Sequence, residues 1–174
     1  MLDSDVLLDA IHGINGDARP ESRAAVALLR QYDRFTVSSI TLFEVYHSTD
    51  AAQLECLRNL RLDERPIIRP ISELAASIAL RARKPTQWCD KCWGMIPAAT
   101  CKKCNAQSSK QQKTNDMLII ATAEYNRVSL LFSRDGGMHN LGAFVTTTKV
   151  MCPPPAVEQL ELPSNTVLLT KRKR

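Results

Sequence analysis

Several features that would assign a function directly are missing from this sequence. No apolar run approaches the roughly 20 residues of a membrane-spanning helix, and the amino terminus has no basic segment followed by a signal-peptide core. The motifs G-x-x-x-x-G-K-[ST], G-x-G-x-x-G and G-x-S-x-G are also absent. We therefore expect a cytoplasmic protein with no membrane association, built around neither a nucleotide-binding glycine loop nor a serine nucleophile.

Composition fits one globular domain with a small appendage. The chain has 174 residues, 44% of them hydrophobic, and a formal net charge of +5. The positive charge is concentrated between residues 81 and 113, where Asp90 is the single acid. Such a patch can attract a phosphate backbone, although a solvated surface would have the same composition. Its basic residues are Arg81, Arg83, Lys84, Lys91, Lys102, Lys103, Lys110 and Lys113.

Apolar periodicity and capping signals predict alternating strands and helices. A short strand is expected to end at Asp3 and lead into a helix. Further predicted helices run from Pro20 to about Tyr32, from Thr41, over Ala51–Leu60 and from Ser72 to about Arg83; further predicted strands are Phe35–Ser38, Pro66–Pro70, Val128–Phe132 and Ala143–Thr147. This alternation with short links predicts a parallel α/β sheet.

The segment around Asp116 is the most distinctive part of the chain. Met117–Ala123 is almost entirely apolar or small, which predicts a helix buried nearly all round with Asp116 at its start. The unpaired N–H groups of a helix start would favour the ionised carboxylate. Asp135 follows the Val128–Phe132 strand, and acids at the carboxyl ends of strands are well placed for a site.

Four acids lie at or near predicted element boundaries, where an α/β fold can bring them to one edge: Asp3, Glu44, Asp116 and Asp135. Carboxylates grouped in one cleft cannot all stay ionised without a cation between them. Hard divalent cations such as Mg²⁺ and Mn²⁺ prefer oxygen ligands, and Mg²⁺ readily shares its shell with phosphate. The pattern therefore indicates metal-dependent hydrolysis of a phosphodiester.

Four blocks of the sequence, in this order and approximate spacing, resemble the signature blocks of PIN-domain ribonucleases, and most closely the VapC-like toxins. They are Leu2–Leu8, Ser38–Glu44, Asn115–Ala123 and Ser133–Asp135, and the resemblance covers about residues 1–148 apart from an insertion. It implies a three-layer α/β/α fold with a central, mainly parallel sheet. It also implies that Asp3, Asp116 and Asp135 bind Mg²⁺ or Mn²⁺, while Glu44 holds metal-bound water or a second ion.

Each acid also has a purely structural interpretation. Asp3 would cap its helix, Glu44 would close a capping box with Thr41, Asp116 would compensate a helix dipole, and Asp135 would be a turn residue before Gly136 and Gly137. The occurrence of all four in the family's order favours the site. Asp5 is a candidate for its periphery, because the family usually has a small polar residue there. For His47 we favour a surface or core position over a catalytic one.

Two C-x-x-C pairs, Cys89/Cys92 and Cys101/Cys104, are separated by eight residues. In a chain without an export signal, this spacing predicts a closed Cys₄ site for a structural Zn²⁺, with a redox dithiol or disulfide pair as the alternative. Zinc would let this short polar segment fold without an apolar core. Cys56 and Cys152 are expected to be free thiols.

The zinc segment is expected to be tethered near the mouth of the acidic site, because it ends shortly before Asp116. Candidate nucleic-acid-binding residues within it are Lys91, Trp93, Lys102 and Lys103, with Trp88 as a second aromatic residue. Packing of the tryptophans against the zinc site is an equal alternative, and binding of an antitoxin or another protein partner by the segment is a third.

These observations predict a nuclease domain over residues 1–84 and 113–150, a zinc-ribbon insertion over 85–112 and a tail over 151–174. The resemblance implies a Mg²⁺- or Mn²⁺-dependent endoribonuclease that cuts single-stranded or loop RNA, dimerises and is inhibited by an antitoxin. Two alternatives stay open. One is a nuclease that processes ribosomal RNA, although its relatives usually carry the ribbon after the nuclease domain. The other is a non-catalytic RNA- or protein-binding module, which four intact acids disfavour.

Overall fold

The structure, a computed structural model, describes residues 1–82, 87–88, 95–96 and 110–156. The four cysteines of the predicted zinc site lie outside the described residues, as do Lys91, Trp93, Lys102, Lys103 and the basic end of the tail. Among the helices that the structure describes, none is both long enough and apolar enough to cross a membrane.

Helices and strands alternate along most of the chain. The helices are α1 (Ser4–Ile14), α2 (Pro20–Gln31), α3 (Ser39–Ser48), α4 (Ala51–Asn59), α5 (Arg69–Ala82), α6 (Lys110–Tyr125) and α7 (Gly136–Leu141), and a 3₁₀ turn covers Gly142–Phe144. The strands are β1 (Phe35–Ser38), β2 (Leu62–Arg65), β3 (Gln87–Trp88), β4 (Met95–Ile96), β5 (Leu130–Phe132) and β6 (Lys149–Met151).

Residues 1–3 connect two pairs of parallel strands. β1 pairs with β2, with Phe35 opposite Leu62, and β5 pairs with β6. The amide of Leu2 donates to the carbonyl of Thr36 at 2.9 Å, and the amide of Asp3 donates to the carbonyl of Phe132 at 2.9 Å. The backbone order is therefore β2, β1, residues 1–3, β5 and β6, as the predicted parallel α/β arrangement requires. β3 and β4 form a separate antiparallel pair.

Helices cover both faces of this sheet. Leu2 and Phe132 belong to a core cluster that includes residues of α1 and α2, whereas their chain neighbours Met1 and Leu131 belong to a second cluster with residues of α5 and α6. Because consecutive strand residues point to opposite faces, the two clusters lie on opposite sides of the sheet. The acids that follow Leu2 and Phe132 in sequence consequently stand at one edge, between two packed layers.

Two predicted strands are misplaced in sequence. Pro66–Pro70 is not a strand; β2 is Leu62–Arg65, and α5 already begins at Arg69. A proline has no backbone N–H to donate to a neighbouring strand, which disfavours a strand over Pro66–Pro70. Leu62–Arg65 contains three charged residues, and such residues have low strand propensity, so β2 was not predicted. The strand predicted over Ala143–Thr147 is also wrong, because Gly142–Phe144 is a 3₁₀ turn and β6 begins at Lys149.

Candidate functional site: an acidic cavity

Asp3 stands at the junction of the central sheet and α1. Its backbone N–H is bound to Phe132, and its side chain caps α1 by accepting from the amide of Ser4 at 2.8 Å. The side chain is only 4% exposed. The predicted capping role is therefore confirmed, with the helix beginning at Ser4. The cap uses one carboxylate oxygen of Asp3, and the same side chain also lines a cavity with other acids.

Glu44 lies in the middle of α3, and its predicted capping box with Thr41 is wrong. α3 begins at Ser39, and its cap is Ser38, whose hydroxyl accepts from the amide of Thr41 at 2.9 Å. Glu44 is therefore unnecessary for capping. Its Oε1 instead accepts a hydrogen bond of 2.6 Å from the side-chain amide of Asn115, which belongs to α6. This contact ties the carboxylate of Glu44 to Asn115, the residue immediately before Asp116 in α6.

Asp116 lies within α6 rather than at its start. The helix begins at Lys110, so the argument that its first-turn N–H groups stabilise Asp116 does not hold. Lysine and glutamine are good helix formers, and they extend the helix ahead of the apolar segment. The prediction of deep burial is confirmed for Ile119–Ala123, all of which are buried. The buried part of α6 therefore begins three residues after Asp116, in the same helix, and anchors its position.

Asp135 begins a short helix, where a turn was expected. It caps α7 by accepting from the amide of Gly137 at 2.7 Å, and its own amide donates to the hydroxyl of the buried Ser133 at 3.0 Å. A Cβ on Gly137 would stand 3.3 Å from the Asp135 carboxylate, tighter than most real contacts. Glycine at this position therefore suits the cap that orients Asp135.

All four predicted acids line one cavity of about 420 Å³, together with Asp5. Its remaining lining includes Leu8, Phe43 and His47, so the wall of this acidic cavity also contains apolar and aromatic side chains. His47 is exposed, in agreement with the surface position expected for it. The structure thus brings the four acids together, while their catalytic role stays a prediction.

The charge balance in the cavity favours a cation. Burial and the charge of Asp5 raise the pKa of Asp3 from 3.8 to about 7, although hydrogen bonds from Ser133 and Ser4 act in the opposite direction. Burial also raises the pKa of Asp5, against the N–H and charge of Arg134. A divalent cation beside Asp3 would reverse this shift, because an opposite charge favours the ionised carboxylate.

The donor set fits Mg²⁺ or Mn²⁺ held partly by water. Among the residues that the structure describes, no three His, Cys, Asp or Glu side chains are grouped tightly enough to bind a metal by themselves. Magnesium does not need such a cage, since it keeps several waters and uses one or two carboxylates plus phosphate oxygens. Carboxylates spread around an open cavity provide this kind of incomplete shell.

A support beneath the cavity was not predicted from the sequence. Asp5 accepts from the backbone amide of Arg134 at 2.8 Å, and the guanidinium of Arg134 forms an ion pair of 2.5 Å with the buried Asp9. Two residues of α1 thereby hold the residue immediately before Asp135. Only Asp5 had been considered, as a peripheral residue; the spacing of Asp5 and Asp9, one helical turn apart, was the available signal.

In comparisons with known proteins, residues 1–143 match the family described as PIN domain. This range covers more than half of the chain and includes all four acids of the cavity. No curated protein matches the chain.

Proposed function

Because this chain belongs to the PIN-domain family, whose members are typically metal-dependent nucleases that act on RNA, we propose that it is a Mg²⁺- or Mn²⁺-dependent endoribonuclease. The observation that carries this proposal is the meeting of Asp3, Glu44, Asp116 and Asp135 in one cavity, although they come from separate parts of the chain. Repulsion among carboxylates in one cavity costs free energy, and a purely structural role for each acid would not require them to be grouped there.

Asp3, Asp116 and Asp135 would hold the ion. When bound, it supplies activation of a water and neutralisation of charge on the phosphate oxygens. Glu44, oriented by Asn115, would position the attacking water. Attack by the water oxygen forms a bond to phosphorus and breaks the bond to one ribose oxygen. The water gives up one proton and the leaving oxygen takes up one, so that it leaves as a hydroxyl. Cleavage therefore leaves one RNA end with a phosphate monoester, not a cyclic phosphate, and the other end with a free hydroxyl.

The test is cleavage of a mixed RNA pool in Mg²⁺ or Mn²⁺ by the wild type and by Asp116→Asn. We expect cleavage by the wild type and a loss of at least 100-fold in the variant, because a ligand to the ion has lost its charge. Asp33→Asn is the matched control, since it makes the same chemical change at an exposed aspartate outside the cavity. Equal cleavage by wild type and Asp116→Asn would contradict the proposal.

The biological role that we propose is that of a toxin in a toxin–antitoxin pair, with an antitoxin protein and a second copy of the chain as partners. Its support is the resemblance of the four blocks to VapC-like toxins. Induced expression should arrest growth, and the arrest should be absent with Asp116→Asn but present with Asp33→Asn. An active enzyme that leaves growth unchanged would favour an RNA-processing role instead.

The zinc site is a separate part of the proposal. Cys89, Cys92, Cys101 and Cys104 would hold one structural Zn²⁺, because two C-x-x-C pairs supply four thiolates and leave no open position on the ion. Lys91, Trp93, Lys102 and Lys103 would then be carried close to the RNA. This proposal rests on the sequence alone.

A further inference from the structure

Two aromatic rings on α3 line the acidic cavity. Phe43 and His47 lie one helical turn apart, on the same side of the helix, and Glu44 stands between them in sequence. Their ring planes differ by only 12°, and their centroids are 6.3 Å apart. Phe43 is 60% exposed. The pair therefore offers near-parallel aromatic faces beside the carboxylates.

Exposure alone would not distinguish Phe43, because single exposed apolar residues are common on protein surfaces. Tyr46 on the same helix is 52% exposed and does not line the cavity. What sets Phe43 apart is its place in the wall of the cavity that contains the acids, a wall to which Leu8 also contributes. An uncharged planar ligand can rest on Phe43 without meeting the repulsion that the acids exert on an anion.

A nucleobase is such a ligand, and its own phosphate lies within the same nucleotide. Bases stack on aromatic side chains when they are not already stacked within a duplex, and such stacking tolerates any sequence because every base has a π-face. The near-parallel rings have a common orientation, which suits consecutive bases of one strand. A base resting on Phe43 would bring the adjoining phosphate to the acids.

We propose that Phe43 and His47 form a stacking subsite for an unpaired nucleobase next to the scissile phosphate. This proposal rests on the proposed function, which supplies RNA as the substrate. The subsite would restrict cleavage to places where a base can unstack from its neighbours. It requires no particular base, so it selects RNA by conformation rather than by sequence.

The primary test measures binding without cleavage. The probe is a short single-stranded RNA containing 2-aminopurine, whose fluorescence is quenched on stacking, added at 4 °C with Ca²⁺ in place of Mg²⁺, because Ca²⁺ takes the same oxygen ligands but activates water poorly. We expect quenching by the wild type, binding about tenfold or more weaker for Phe43→Ala, and recovery with Phe43→Trp. Tyr46→Ala is the matched control and should bind like the wild type. Equal binding by Phe43→Ala and wild type would overturn the subsite.

Cleavage gives an independent readout. With a substrate cut at one mapped position, an abasic nucleotide beside the cut should slow the wild type about as much as Phe43→Ala does on intact RNA. Combining the two changes should cost little more, because both remove the same contact. Independent, fully additive losses would overturn the subsite.

The two proposals fail in different ways. Quenching that depends on Phe43, in a wild type that cuts no RNA, would retain the subsite and reject the nuclease. Cleavage and binding indifferent to Phe43 would retain the nuclease and reject the subsite. A Phe43→Ala variant that changes the oligomeric state in size-exclusion chromatography, with unaltered RNA binding, would show that the rings contact a second copy instead.

Discussion

Single contacts hold Glu44 and Asp135 in place in the cavity. Asn115 binds Glu44, Ser133 binds the amide of Asp135, and Arg134 is held by α1 through Asp5 and Asp9. None of these contacts involves the ion itself. They hold the acids in position before an ion arrives, which lowers the cost of assembling the site when it binds.

Replacing Arg134 with methionine should destabilise the protein by about 1–2 kcal/mol, because the buried carboxylate of Asp9 would lose its charged partner. The loss stays in this range because solvent screens the charge of the Arg134 side chain, which is 38% exposed. Burial raises the pKa of Asp9, and the charge of Arg134 opposes that rise. Without Arg134, ionising Asp9 costs more, so the variant's loss of unfolding free energy should grow as pH rises. Urea unfolding at pH 6 and pH 8 measures both effects.

The control for this prediction is Arg58→Met. Arg58 forms an exposed ion pair with Glu55, so its loss should change stability by less than about 0.5 kcal/mol. Asp9→Leu combined with Arg134→Met should recover most of the lost stability, since no buried charge is left. A double variant less stable than Arg134→Met alone would show that the two residues do not act as a pair.

At the scale of elements, Glu124 ties the end of α6 to the segment before β6. Its carboxylate accepts from the hydroxyl of Thr146 at 2.7 Å and from the amides of residues 146–148 at 2.9–3.1 Å. Burial raises the pKa of Glu124, but these hydrogen bonds outweigh it and lower the pKa from 4.5 to about 2. This anchor holds the segment out of a strand and explains the misplaced Ala143–Thr147 prediction.

Glu124→Gln should therefore destabilise the protein by about 1 kcal/mol at pH 7. A lowered pKa stabilises the fold at pH values above the unfolded value, so the wild type's advantage should be full above pH 4.5 and decline as pH falls toward 2. Chemical unfolding of both proteins from pH 7 to pH 3 measures this difference. Glu73→Gln is the control, because Glu73 forms an exposed ion pair with Arg69. An advantage that does not change with pH would contradict the prediction.

Sequence patterns predicted elements whose signals are local. Phe35–Ser38 was placed correctly as a strand, and α2 and α4 end within one residue of the prediction. β2 was missed because Leu62–Arg65 becomes a strand through its backbone pairing with β1, which no local signal encodes. The start of α6 was misjudged because apolar patterning marks the buried part of a helix and not its exposed first turns.

The sequence predicted the acids of the candidate site but not the residues that hold those acids in place. All four acids were expected at or near element boundaries, and the family blocks contain the same four. Asp3 and Asp135 do stand at helix caps, whereas Glu44 and Asp116 lie inside helices. The contact of Asn115 with Glu44 joins residues 71 positions apart and needed the fold. Phe43 likewise looked like an ordinary apolar helix residue until its exposure and its place in the cavity wall were known.

For the whole molecule, the four cysteines of the proposed zinc site fall in the sequence between the end of α5 and the start of α6. We expect one zinc per chain in purified protein, and loss of that zinc in a Cys89→Ser/Cys92→Ser double variant. Cys56→Ser is the control, because Cys56 is a free thiol in the body of the domain. Elemental analysis measures the content. A zinc-free wild type with disulfide-bonded cysteines would support the dithiol alternative.

The measurement that tests the acidic cavity most directly is a metal switch at Asp116. A thiolate in place of the carboxylate binds soft ions in preference to Mg²⁺. Asp116→Cys should therefore be inactive on RNA in Mg²⁺ and regain cleavage in Cd²⁺, under conditions in which Asp116→Asn stays inactive with both ions. Recovery of this kind would establish that residue 116 binds the ion used in hydrolysis. Full activity of Asp116→Cys in Mg²⁺ would contradict the account.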